Sequence, residues 1–284
     1  MTWLARLLGA ALGFVAGTVL RIRRAHVERA MTAAGIAHPA RQAAAMYRAL
    51  GASAFEFLWM AARGPSALRV VSIAPASRER WAQALAAGKG VVVAASHTGN
   101  WDLAACAIAR HVELLVVTKR LHVRWLDRFW QSTRRRLGVQ LAGPLGALPR
   151  AREVLRRGGA VAMMIDQVPS PRRAVPVSFL GQPAHADRAP AALAAAAGAP
   201  LVIATSCREP SGAHTLHVLD VLWPPARPGR PFIDDATRRA TRELERFVMA
   251  HPDQWLWMHR RWKPMLAMPC RTPSSSRAEA SRVA

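Results

Sequence analysis

The sequence predicts an α/β domain, a central mixed sheet flanked by helices, preceded by a membrane-associating helical segment. Three observations carry that expectation. From Leu68 onward, short apolar runs alternate with helical stretches, the pattern of strands joined by crossover helices. Residues 7–20 form an uncharged, mostly apolar run between Arg6 and the cluster Arg21, Arg23 and Arg24. The chain has 284 residues, 51% of them hydrophobic, enough for one large domain with a substantial core. A mean hydropathy of +0.06 excludes a protein with many membrane spans.

The elements follow in order. Residues 7–20 rise about 21 Å as a helix, short of the ~30 Å hydrocarbon core, and residues 2–6 bring them near that length with Arg6 reaching to one interface. The basic cluster that follows opposes a cleaved signal peptide and favours a cytoplasmic-face anchor, interfacial or spanning once. A second apolar segment, 52–62, extends that surface or joins the core. Residues 68–73, 91–95, 113–118, 160–165, 201–206 and 215–221 read as strands, and 175–180 as extended chain after a proline-broken loop at 169–173. Residues 77–87, 101–109, 123–137, 149–157, 189–197 and 234–250 read as helices. Three regions result: a membrane-associating region at 1–65, the α/β domain at 66–268, and a Ser-, Arg- and Pro-rich tail at 269–284 that reads as disordered.

Composition narrows the partners. Forty Lys and Arg against 17 Asp and Glu give a formal charge of +23, which points to an anionic partner: acidic lipid, an acidic carrier protein or nucleic acid. Cys106, Cys207 and Cys270 are far apart and show no CxxC spacing, which fits a reduced compartment without a disulfide framework. The ten histidines are dispersed, with no HExxH spacing, so no metal is expected.

Chemistry concentrates in residues 91–102, VVVAASHTGNWD. An apolar strand runs into a glycine-containing turn with a helix behind it, and sites of α/β folds gather at such carboxyl ends. His97 and Asp102 are five apart, about 140° on a regular helix, so they meet only if His97 sits in the turn and Asp102 in the first helical turn. Gly99 supplies the backbone freedom for that turn. A carboxylate on one imidazole nitrogen fixes the tautomer and leaves the other free to take a hydroxyl proton. The alternative is a satisfied core histidine with Asp102 capping the helix. Ser96 lacks the glycine pattern of a nucleophile elbow, which favours direct attack by an acceptor hydroxyl.

The segment SHTGNWDLA resembles the HxxxxD motif of glycerolipid-type acyltransferases, in the form of the lipid A late (lauroyl and myristoyl) acyltransferases. Lys119-Arg120-Leu121 with Trp125-Leu126-Asp127 resembles that family's second block. Met164-Ile165-Asp166-Gln167 and Phe179-Leu180-Gly181-Gln182-Pro183-Ala184 resemble the third, and the stretch from Pro252 to Lys263, with its tryptophans and arginines, the closing block. The order of the four blocks carries the resemblance, since HxxxxD alone recurs by chance. His185, Ala186 and Asp187 stand where the family has a threonine, and Leu121 where it has proline.

The resemblance implies a glycerolipid-acyltransferase-like sandwich and transfer of an acyl group from an acyl carrier protein or coenzyme A thioester to a lipid hydroxyl. No cofactor is implied. His97 and Asp102 are then the catalytic pair. Gly99 and Asn100, Lys119 and Arg120, Asp166 and Gln167, and Arg260 and Arg261 are the candidate substrate-binding residues, with backbone donors near Gly99 for the oxyanion. Arg120 and the run Arg134-Arg135-Arg136 are candidates for acceptor phosphates or the carrier. For Asp166 the structural alternative is a loop-capping carboxylate; for Trp255, Trp257 and Trp262 core packing is preferred over interfacial anchoring. The expected place is the cytoplasmic face of the inner membrane, with an anionic lipid acceptor, most simply in lipid A synthesis, or else another phospholipid, phosphatidylinositol mannoside or aminolipid. A nucleic-acid binder explains the charge but not the pair at a strand end, and the aromatic–basic interleaving of a stacking platform is missing outside the closing block.

Overall fold

A computed structural model describes residues 3–262; the tail at 269–284 lies outside the described residues. Helix α1 (Trp3–Phe14) continues into a π-helical turn, Val15–Val19, followed by α2 (Arg24–Ala33) and α3 (Pro39–Arg63). The contact of α1 with α3 runs over glycines: a side chain at Gly13 meets the Tyr47 carbonyl, and one at Gly51 meets Gly9 and Gly13. Only hydrogen at these positions lets two helix backbones approach so closely. The side of α1 and its π turn away from α3 leaves Leu7, Leu8, Leu12, Phe14, Val15, Val19 and Leu20 exposed. No helix among the described residues is long and apolar enough to cross a membrane.

The rest alternates strand and helix: β1 (Val71–Ile73), α4 (Pro75–Ala86), β2 (Val91–Ala95), α5 (Trp101–Ile108), β3 (Leu114–Val117), α6 (Arg124–Arg136), β4 (Val139–Ala142), α7 (Ala147–Arg156) and β5 (Ala160–Met164). A hairpin of β6 (Ala174–Phe179) and β7 (Gln182–Asp187) precedes α8 (Ala189–Ala197), β8 (Leu201–Arg208), β9 (His214–Leu222) and α9 (Arg230–Ala250). Among the described residues seven strands form one sheet in the order β1-β9-β8-β2-β5-β3-β4, and β6–β7 stands apart. The sheet is mixed because β9 runs antiparallel to β8, while the remaining neighbours are parallel. Strand alternation divides the core: Val92 and Ala94 pack with Val154, Leu193 and Leu244 of α7, α8 and α9, whereas Val91 and Val93 pack with Ala84 of α4 and Ala105 of α5.

Two expectations change. Residues 68–73 are a strand only over Val71–Ile73, because Gly64–Val70 closes as a 3-10 turn behind Pro65. Residues 139–142, unassigned from sequence, form the edge strand β4. The second apolar segment at 52–62 lies within α3, with Phe57 and Met60 in the core and Leu58 exposed.

Candidate active site

Strand β2 ends at Ala95 and the chain turns through Ser96–Asn100 before α5 begins. Gly99 takes φ +53°, and a Cβ there would stand 2.5 Å from the Ser206 backbone oxygen. The turn is pinned on three sides. The Gly99 N–H donates to the Gln254 carbonyl at 2.8 Å, the Leu256 N–H donates to the His97 carbonyl at 3.1 Å, and the Ser206 N–H donates to Thr98 Oγ1 at 3.1 Å. Gly99→Ala is therefore expected to cost about 2–4 kcal/mol, from a left-handed conformation plus a backbone clash; denaturant titration checks this.

Residue His97 meets its carboxylate from another strand. Its Nδ1 lies 2.9 Å from Asp166 Oδ1, and its backbone N–H donates to Asp166 Oδ2 at 2.8 Å. The Trp255 indole N–H donates to the same Oδ2 at 3.0 Å. Asp166 follows β5, the immediate neighbour of β2 in the sheet, so two adjacent strand ends deliver acid and imidazole together. Burial opposes charge on both groups. Their mutual attraction outweighs it, holding Asp166 well below the usual carboxylate range and His97 above the ordinary imidazole value.

Asp102 does occupy the first turn of α5, but its carboxylate is bonded elsewhere. It accepts from Arg134 Nε at 2.7 Å and from the Trp130 indole at 3.3 Å, both on α6. It acts on His97 through its charge, without a hydrogen bond. The carboxylate that orients His97 is thus Asp166, and the sequence expectation of an Asp102–imidazole contact is corrected. The physical reason is competition: a guanidinium on α6 offers a buried carboxylate charge-assisted bonds that an imidazole already held by Asp166 does not.

The remaining candidates divide. His97, Lys119, Arg120, Arg134, Gln167 and His259 line one cavity of about 710 Å³. Gly99, Asn100 and Arg261 belong to its scaffold. The Gly99 N–H is already engaged, so it is not an oxyanion donor. Arg261 is buried, bonds the His185 carbonyl and lies over the Phe179 ring. Arg260 is exposed. Trp255 and Trp257 are buried in the core. Arg134 lies in the cavity wall, while Arg136 bonds the Ala61 carbonyl. Asp187, in the stretch that departs from the resembled family, lines the cavity and pairs with Arg173 at 3.2 Å.

Sequence reasoning missed a buried cluster behind the turn. Asn100 caps α5 by accepting from the Leu103 N–H, and its amide donates to Glu56 Oε2 at 2.8 Å. Arg208 of β8 donates to both Glu56 oxygens at 2.9 and 2.7 Å, and His214 Nε2 lies 3.2 Å from Oε2. Burial alone would raise the Glu56 pKa, but these partners bring it down to about 2. The signal was present: Glu56 is the single charge in the apolar stretch 52–62. His259, at 4.9 Å between ring centroids from His97, is held below its ordinary pKa by burial and by the neighbouring imidazole. A narrow apolar cleft lies behind the turn, walled by Trp81, Val93, Ile108 and Leu216, and it shares Trp101 and Met164 with the cavity. Among the described residues no group of His, Cys, Asp and Glu is placed to hold a metal.

Comparison with known proteins adds two findings. Residues 3–264 match the model of the family described as bacterial lipid A biosynthesis acyltransferase. The chain is also similar to phosphatidylinositol mannoside acyltransferase from two strains of Mycobacterium tuberculosis, 34% identical over 123 residues. That alignment covers 42% of this chain and 39% of each relative, so it spans about two fifths of either.

Proposed function

The chain belongs to the bacterial lipid A biosynthesis acyltransferase family, and on that premise we propose that it moves a fatty acyl group from a thioester to a hydroxyl of a membrane lipid, with His97 as general base. The observation that carries the reading is the buried Asp166–His97 pair beside a basic cavity that adjoins an apolar cleft. With Nδ1 bound to Asp166, Nε2 is the nitrogen left to take the acceptor's proton. The acceptor oxygen attacks the thioester carbonyl, the new C–O bond forms, the C–S bond breaks, and the proton on Nε2 passes to the departing thiolate. Asp166 stabilises the imidazolium formed between those steps. Lys119 and Arg120 meet acceptor phosphate, and the cleft receives the acyl chain. Arg134, neutralised by Asp102, shapes the wall between them.

The donor in this reading is an acyl carrier protein or coenzyme A thioester, and the protein works on the cytoplasmic face of the inner membrane, held by the exposed apolar side of α1. Lipid A precursor is the first acceptor to test. A phosphatidylinositol mannoside or another phospholipid is the second, favoured by the relatives described above. Detergent-solubilised protein is expected to transfer labelled acyl groups to one of these acceptors. His97→Ala should lower the rate by about 10²–10⁴-fold, the usual worth of a general base. Mass spectrometry of lipids from cells with and without the gene names acceptor and chain together. An unchanged rate in His97→Ala would sink the mechanism.

A further inference from the structure

Helix α6 carries Arg124, Arg128, Gln131 and Arg135 at i, i+4, i+7 and i+11, which places them along one face. With Arg120 and Arg150 they line an open groove of about 680 Å³, whose other wall is the β4–α7 connection around Gly143 and Leu145. Among the described residues, no ion pair engages Arg124, Arg128 or Arg135. The one carboxylate in the groove, Asp127, accepts from the Leu121 N–H and the Gln131 amide. Among the described residues that line it, five arginines face one aspartate, so the groove is a concentrated positive field.

Two of its lining residues are apolar and exposed, Leu145 at 97% and Leu121 at 44%, and Trp125, next to Arg124 in the first turn of α6, is 70% exposed. Exposed large apolar side chains beside an arginine cluster are unlike an ordinary solvated face. Tryptophan and leucine beside guanidinium groups match the boundary of a bilayer, where rings sit at headgroup level and cations meet phosphate.

We infer that this groove and its rim are a second contact with an anionic lipid surface, separate from α1. Two elements abut the catalytic cavity from different parts of the chain. Thr118, Arg120, Leu121 and Gln131 line both groove and cavity. At the other element, Arg23 donates to the Met258 carbonyl at 2.9 Å, and His26 meets the carbonyl of His259, itself a cavity residue. Arg23 follows directly on the exposed Val19, Leu20 and Ile22. Lipid contact at both elements holds the cavity opening against the bilayer, where a lipid acceptor and an acyl chain are both found.

The test is co-flotation of the full-length protein with phosphatidylethanolamine vesicles, with and without phosphatidylglycerol, over a salt series. The parent is expected to prefer the anionic vesicles. The double variant Arg124→Ser, Arg128→Ser should bind them about ten-fold or more weakly and lose most of the salt dependence. The pair Trp125→Ser, Leu145→Ser should bind both vesicle types more weakly. All these side chains lie outside the catalytic machinery, so both variants should keep the parent's thermal midpoint and its transfer rate in detergent. If the arginine variant floats with anionic vesicles as well as the parent, the inference is overturned. It is equally overturned if that variant keeps vesicle binding and loses only its response to purified acyl carrier protein. Because flotation needs no turnover, a parent that binds vesicles but transfers nothing would count against the functional reading and for the lipid contact.

Discussion

Asp166→Asn is expected to lower kcat by about 10³–10⁴-fold with a far smaller change in KM. Asparagine keeps the size of the side chain but removes the charge that stabilises an imidazolium, and its amide turns a donor toward Nδ1 and favours the wrong tautomer. The pH profile should move as well. In the proposed mechanism the working form of His97 is neutral, so the rate should fall as pH drops through its pKa. In the parent that pKa is raised by Asp166 against the effect of burial, so the acid limb lies above the ordinary imidazole value of ~6.5. Without the carboxylate, desolvation dominates and the limb moves to lower pH. Asp102→Asn provides the contrast. Its carboxylate answers Arg134, so its loss should disturb the cavity wall and leave the position of the acid limb closer to the parent's. Steady-state rates of both variants across pH 5–9 decide the matter. A severe kcat loss in Asp102→Asn with a mild one in Asp166→Asn would assign the orienting role to Asp102 instead.

Glu56→Ala should be among the most destabilising substitutions outside the His97–Asp166 pair, costing about 3–5 kcal/mol in denaturant titration. The alanine leaves the Arg208 guanidinium buried without its carboxylate and the Asn100 amide with only its longer bond to the Ser53 carbonyl. Asn100 caps α5, so the turn that carries His97 loosens with it. Glu56→Gln, which keeps the shape and one acceptor oxygen, should recover part of the loss. The same carboxylate gives the protein an acid limit. Its pKa falls from 4.5 to about 2 in the folded chain, so its contribution, on the order of 3 kcal/mol, is complete above pH ~4.5 and disappears as pH falls toward 2. Removing the carboxylate should flatten stability across that window.

Much of the sheet was legible in the sequence because buried strands such as Val91–Ala95 carry continuous apolar runs and the helices between them carry the 3.6-residue period. Strand β4 escaped because Val139–Ala142 is short, contains Gln140 and sits at the sheet edge, where pairing on one side suffices. His97 was legible because a histidine after an apolar strand and before a glycine is a local signal. Its partner was not, since Asp166 is 69 residues away and becomes a neighbour only through the pairing of β2 with β5.

What the sequence alone determined is local: the alternation of strand and helix, the basic excess, the apolar amino-terminal run, and the histidine at the end of a strand. Each is written in residues close together along the chain, where periodicity and turn chemistry act. The choice among carboxylates was decided only by the tertiary structure. Asp102 and Asp166 are both aspartates in plausible places, and the sheet brings Asp166 under the imidazole while α6 presents Arg134 to Asp102. Which acid meets which base is set by strand order and helix packing, and these depend on burial over the whole domain.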